Sequence, residues 1–277
     1  MKSILAILLI LVLPVSLFCN TILVDITGSG QYTAIQPAIN AASAGDTITI
    51  LPGVYDAPIS VAKNIVIIGS GYETTIITST NNPTVTMSAG KIMWVAINSL
   101  GGDGISLKAG TLKNVVIRGC TGSGVYSREG LGTMTNCVLT DNAEYGIACY
   151  SMSGLLNVTN CISYNNGKED FYQDYTFSED RLSVSYSNGE TNYYVNVGPG
   201  VIDLNPLFTS DTDIHLQLTS LCWDTGNTSM TDPDGTRSDM GYFGGTECPL
   251  YPVVKNIKIV PQENGEIQIQ ATGSANY

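Results

Sequence analysis

Few side chains in this chain can move a proton or attack a bond, and their types and spacing limit the chemistry. The basic residues of its central part are Lys108, Lys113, Arg118, Arg128, Lys168 and Arg181, and Arg118 is the one within a strand-like run, NVVIRGC. A base that removes a proton from carbon needs groups beside it that neutralise the charge it creates. No carboxylate column flanks Arg118. It is expected to be a solvated residue on an outward strand face, in file with Thr140 and Tyr164. Glu144, Glu169 and Asp170 fall at corresponding turns of neighbouring repeats, and glycoside hydrolysis needs two carboxyl groups about 5–9.5 Å apart. Their position in turns, away from a strand face, predicts an acidic rim or a weak cation site. The single histidine, His215, lies between Ile214 and Leu216 and is expected to be packed; no Ser or Cys motif accompanies it.

Binding chemistry is better represented. The chain has 15 tyrosines against 5 phenylalanines, and a flat ring with a polar edge suits a sugar ring. Tyr164 and Tyr186, with Arg118 beside them, are the expected polysaccharide contacts, against the alternative that tyrosines only close turns. Further on, Asp232, Asp234 and Asp239 gather around Gly235 in DPDGTRSD, as in the first part of a calcium loop, without the closing Glu. Calcium held by these three, or a plain turn fixed by Asp side-chain to backbone bonds, are the two readings. Calcium is the only cofactor to which the sequence points.

What must position these residues is a repeat. NVVIRGCTGSGVYS from Asn114, NCVLTDNAEYGIACY from Asn136 and NCISYNNGKEDFYQD from Asn160 align with spacings of 22 (114 to 136) and 24 (136 to 160). Each unit opens on Asn, continues as a short strand, turns through polar residues (Asp141 and Asn142, Asn165 and Asn166) and closes on Tyr126, Tyr150 or Tyr172. Segments near Asn64 and Trp94, and LSVSYSNGE, follow the scheme more loosely. Such a unit cannot bury its own apolar face, so copies must stack about 4.8 Å apart around one core. The expected fold is all-β, a right-handed parallel β-helix. Its asparagine column is expected to form a turn ladder whose amides bond to the next rung. Cys137 and Cys161 are expected to be inward neighbours with free thiols.

The ends of this solenoid need covers. In YTAIQPAINAA, Thr33 and Gln36 have capping-box spacing, Pro37 falls in the first turn, and Ile35 and Ile39 share a face; this predicts a short N-terminal capping helix. From about Ser187 turn residues dominate, which predicts an irregular C-terminal wrap packing Leu207, Phe208, Leu216, Leu218 and Trp223 against the last rungs. Residues 250–277 carry two alternating runs around a Gly-containing turn, a hairpin similar to the opening strands of a truncated fibronectin type III-like domain.

Lys2, the apolar run Ile4–Phe18 and polar Asn20 predict a signal peptide over residues 1–19, shorter than the roughly 20 apolar residues of a membrane span. Bulky Phe18 argues against lipidation of Cys19. The β-helix with its cap is then residues 20–249, secreted or at the cell surface, with no transmembrane segment. A net charge of -12 excludes nucleic acid as a partner. Six further cysteines, an even number for an oxidising compartment, leave their pairing open.

The stretch GSGQYTAIQPAINAASAGDTITILPGVYDAPISVAKNIVIIGSG resembles the start of the pectin-lyase-like superfamily. IDLNPLF, IHLQLTSLCWDTGN and DPDGTRSDMGYFGG are similar to the tail of secreted bacterial β-helix proteins that carry cell-surface anchors. The resemblance implies the β-helix fold and a frequent association with polysaccharide, but a scaffold does not transmit an activity. Methylesterases of that superfamily use two carboxylates, an Arg and paired glutamines, and no GxVDFIFG-like or LGRPW-like segment occurs here. Its pectate lyases set an Arg or Lys base beside calcium-binding carboxylates. The expectation is therefore a noncatalytic protein with a polysaccharide-binding or adhesive surface; the alternative is a lyase or glycoside hydrolase acting on acidic glycans.

Overall fold

The computed structural model describes residues 19–174, 176, 179–248, 251–261 and 267–276; the expected signal peptide lies, apart from Cys19, outside them. The chain winds as a right-handed parallel β-helix whose faces are three parallel sheets. Sheet I runs from Thr21–Val24 and Thr47–Ile50 through Ala109–Lys113, Leu131–Thr135 and Leu156–Thr159 to Leu182–Ser185 and Asn196–Val197. Sheet II holds Gly53–Asp56, Thr75–Thr78, Ala96–Ile97, Val116–Arg118, Val138–Thr140 and Ile162–Tyr164. Sheet III holds Ile59–Val61, Val85–Met87, Ile105–Leu107, Val125–Ser127, Ile147–Cys149 and Phe171–Gln173.

Strand alternation sends every second residue inward, and in-register stacking turns those residues into files. Ile48, Ile67, Ile92, Leu112, Met134, Val158 and Val184 form one file on sheet I. Ile59, Val85, Ile105, Val125, Ile147 and Phe171 form another on sheet III. These residues are buried in one continuous core. Each such side chain contributes about 1.5–3 kcal/mol on leaving water. Cys137 and Cys161 are buried in that core with free thiols, the Cys137 amide donating to Cys161 Sγ at 3.4 Å.

From the rung of Trp94 to that of Tyr186, a single left-handed residue ends each strand of sheet I and turns the chain toward sheet II. Trp94, Asn114, Asn136, Asn160 and Tyr186 follow register-matched strand ends, and all have φ between 46° and 58°. Asn visits this left-handed region at low cost, which explains the repeat's opening residue. The asparagines do stack, but their side-chain amides do not bond to the next rung. Asn114 Nδ2 donates to the carbonyls of Tyr242 and Gly244 at 2.6 and 2.9 Å. Asn136 Nδ2 donates to those of Asp239 and Gly241. Asn160 donates to Ser238 Oγ and accepts from the Asn227 amide at 2.6 Å. The bond between rungs is made instead at the next corner, where Asn142 donates to Asn166 Oδ1 at 2.9 Å.

The partners of the asparagine column belong to the C-terminal segment, which runs back along this corner as a strap. It starts beside Asn160 and reaches Trp94, whose indole donates to the Glu247 carbonyl at 2.8 Å; Lys91 and Lys113 both grip the Glu247 carboxylate. Gly244 passes so close over the column that a Cβ there would meet Asp239 O at 2.1 Å and Asn136 Nδ2 at 2.3 Å. The wrap also covers the outer face of sheet II. There Ala96, Val116, Val138 and Ile162 form a second apolar cluster with Ile214, Cys222, Met240 and Tyr242. Phe208 and Leu216 pack against this cluster as expected, whereas Leu218 is 85% and Trp223 36% exposed. The wrap buries residues nearer the strap instead.

Helix α1 (Ile35–Ala41) covers the first rung with Ile35, Ala38 and Ile39. The expected capping box is absent: Ala34 is the N-cap, and the Gln36 side chain accepts from the Ser60 amide on the coil. At the other end Lys63 Nζ satisfies the Ile39, Asn40 and Ala42 carbonyls. Tyr251–Pro261 and Ile267–Asn276 pair antiparallel, with an irregularity between Lys255 and Ile257. Among the described residues no helix is long and apolar enough to cross a membrane.

Candidate functional site

The outward file of sheet III changes character along the axis. Ser60, Thr86 and Ser106 are followed by Tyr126, Ala148 and Tyr172 on successive rungs. The small Ala148 leaves a gap between two rings, and Tyr150 closes it, with centroids 5.5 Å from Tyr126 and 5.7 Å from Tyr172. Tyr145, from the preceding turn, stacks on Tyr172 at 4.4 Å with planes 26° apart. Four rings thus form one partly exposed aromatic band. Lys168 Nζ lies 4.8 Å from the Tyr145 centroid and pairs with Glu144 at 3.0 Å. Burial, and then Tyr145, Tyr172, Asp174 and Glu144, raise the Tyr150 hydroxyl pKa, so its phenol stays protonated as a donor.

Sheet II carries Arg118, Thr140 and Tyr164 in one file, as expected. Tyr164, with Thr140, Asp141, Asn165 and Phe208, lines a cavity of about 390 Å³ under the wrap. The Arg118 guanidinium lies over the Tyr72 ring at 5.9 Å and donates to the Thr212 carbonyl, so it is occupied by groups that cannot neutralise a substrate acid. Tyr186 does not join Tyr164. It sits at the corner after sheet I, in the asparagine column, with the Arg237 guanidinium 5.8 Å from its ring.

The acidic turn residues do not assemble a hydrolytic pair. Strand register sets Glu144 opposite Lys168, with which it pairs, and Glu169 opposite Tyr145. Asp170 is buried and accepts from Asn166 Nδ2 at 2.6 Å and Ser163 Oγ at 3.0 Å. Its burial raises its pKa. His215 stacks on Phe243 at 3.9 Å, and its Nδ1 lies 2.5 Å from Asp213 Oδ1.

Asp232 and Asp239 come together, but Asp234 does not join them; it is exposed and bonds to Thr236. Its place is taken by Asp224, so that one carboxylate oxygen of each of Asp224, Asp232 and Asp239 lies within 4.8 Å of the others. Burial, with Asp232, Asp224 and Asp234 nearby, pushes Asp239 up to about 7. Asp224 carried no sequence signal, since WDTGN lies apart from the DPDG loop. The tyrosine band did carry one, because Tyr126, Tyr150 and Tyr172 each close a repeat.

No protein-family model matches the chain, and no curated protein matches its sequence. Among solved structures, pectate lyase Pel9A is similar at 12% identity and a TM-score of 0.45, covering 82% of this chain and 96% of that one. Pectin methylesterase PemA from Erwinia chrysanthemi is similar at 12% identity and 0.43, covering 92% and 86%. The Aspergillus niger pectin methylesterase is similar at 16% and 0.38, covering 66% and 72%. Likeness at this level does not extend to chemistry.

Proposed function

On a right-handed parallel β-helix of pectin-lyase-like architecture, we propose that this chain is a noncatalytic polysaccharide-binding protein of the cell exterior, and that its glycan lies along the outer face of sheet III. The observation that carries the reading is the band of Tyr126, Tyr150, Tyr172 and Tyr145. Flat rings with polar edges suit sugar rings, and the hydroxyl file of Ser60, Thr86 and Ser106 extends the contact along the axis. Charge selects the glycan. Glu144 and Asp174 border the band, Lys168 is already paired, and the whole chain carries -12, so a neutral polysaccharide is favoured over a polyuronate. Export rests on the N-terminal apolar run.

Affinity electrophoresis of the purified protein against neutral glucans, xylans and mannans and against pectate and alginate tests this. Retention by a neutral glycan, reduced in Tyr126→Ala, is expected. No retention by any glycan would reject the reading. Unsaturated product released from a uronate and lost in Arg118→Ala would replace it with a lyase.

A further inference from the structure

The strap contains a concentration of negative charge that its own hydrogen bonds leave unfinished. Asp232 and Asp239 are 4% and 5% exposed, and among the described residues no Lys or Arg pairs with either or with Asp224. The nearby Arg237 is turned away, donating to the Gly226 and Thr225 carbonyls. Backbone amides orient the acids: Asp232 accepts from Asp239 N and Gly245 N, and Asp239 Oδ1 accepts from Asp224 N at 2.7 Å. One oxygen remains: Asp224 Oδ1 is sealed from solvent with no hydrogen-bond partner. A buried carboxylate oxygen without a donor is costly, and a cation among the three acids would remove that cost.

We propose that Asp224, Asp232 and Asp239 bind one calcium ion and that this ion fastens the strap to the coil. The donors are oxygens only, which suits a hard cation. Calcium–oxygen distances of about 2.3–2.6 Å allow two ligands of one ion to stand up to about 5 Å apart, whereas magnesium, at about 2.0–2.1 Å, needs a tighter set. The mutual limit of 4.8 Å admits calcium, and the magnesium arm of the titration separates the two ions. The site is tied to the asparagine column through Asp239, whose carbonyl accepts from Asn136 Nδ2 at 2.9 Å. Binding is thereby coupled to docking of the strap.

The test uses the full chain, stripped with chelator and read without any glycan, so that its outcome is independent of the sheet III reading. Calcium titration followed by calorimetry and by terbium luminescence is expected to give one ion per chain, with weaker magnesium binding and a rise in Tm. Asp239→Asn and Asp224→Asn are each expected to weaken calcium binding roughly tenfold or more, whereas Asp234→Asn leaves it unchanged. Asp224, the least buried of the three, carries the comparison if Asp239→Asn does not fold. Absence of calcium uptake by the stripped wild-type chain overturns the proposal, as does a loss in Asp234→Asn equal to that in Asp224→Asn.

Discussion

Tyr150 and Tyr172 are where single side chains decide the most. Tyr172 contacts both Tyr145 and Tyr150, so Tyr172→Ala removes two ring contacts and is expected to weaken glycan binding by about 1 kcal/mol or more. Tyr172→Phe keeps the rings and should retain most of the affinity; isothermal titration with the retained glycan checks both. Equal losses in the two variants would assign the binding to the hydroxyl. At this scale the sequence was only partly legible. Arg118, Thr140 and Tyr164 share a file because repeat spacing alone determines strand register. Tyr186 fell out of place because LSVSYSNGE aligns its Tyr with the opening asparagines, a corner position, and not with a strand residue. Asp224 was invisible because its neighbours in space arrive through a loop whose path no local spacing encodes.

At the scale of elements, the asparagine column and the strap stand or fall together. Asn136→Ala strips the Asp239 and Gly241 carbonyls of a buried donor and leaves an alanine at φ 53°, so a loss of about 2–4 kcal/mol is expected in chemical denaturation. Asn136→Gly relieves the backbone part and should recover about 1 kcal/mol of it. In both, amide exchange of residues 238–248 should quicken more than that of sheet III; uniform quickening would mean that the column supports the coil and not the strap. The coil itself was readable from the 22- and 24-residue spacings, because stacking forces like residues into files. The amides' partners were not, since the strap comes from about 100 residues further along the chain. The capping box failed for a related reason: the coil's Ser60 amide outcompetes the helix for Gln36.

For the molecule as a whole, acids of opposite kinds shape the response to pH. Burial raises the pKa of Asp103 and Asp170 and, with Asp232 and Asp224 nearby, pushes Asp239 up to about 7. A raised folded pKa means that the folded state binds its proton more tightly. Stability therefore increases as pH falls through those values and levels off below the ordinary 3.8. Asp46, held low by the Asn20 and Ser43 amides, and Glu247, held low by Lys113 and Lys91, act in the other direction. Their contribution is intact at neutral pH and drains away once pH drops below their ordinary values near 4. Urea midpoints of the stripped protein are expected to rise from pH 8 toward about 5 and fall steeply below 4. A midpoint that declines steadily from pH 8 to 5 would mean that the buried acids hold their protons no more tightly in the folded chain than in the unfolded one.

The strap's direction also has a mechanical meaning. Traction applied beyond Cys248 meets the Glu247 clasp on Lys91, Lys113 and Trp94 first, then Asn114, Asn136 and Asn160 in turn. Loaded in sequence, these attachments open like a zip at low force, while the rungs beneath them, bonded side by side, stay wound. Single-molecule stretching should record a run of small early steps from the strap well before any coil rupture. The strap would let a tethered protein pay out about ten residues of slack and rewind when the load is released.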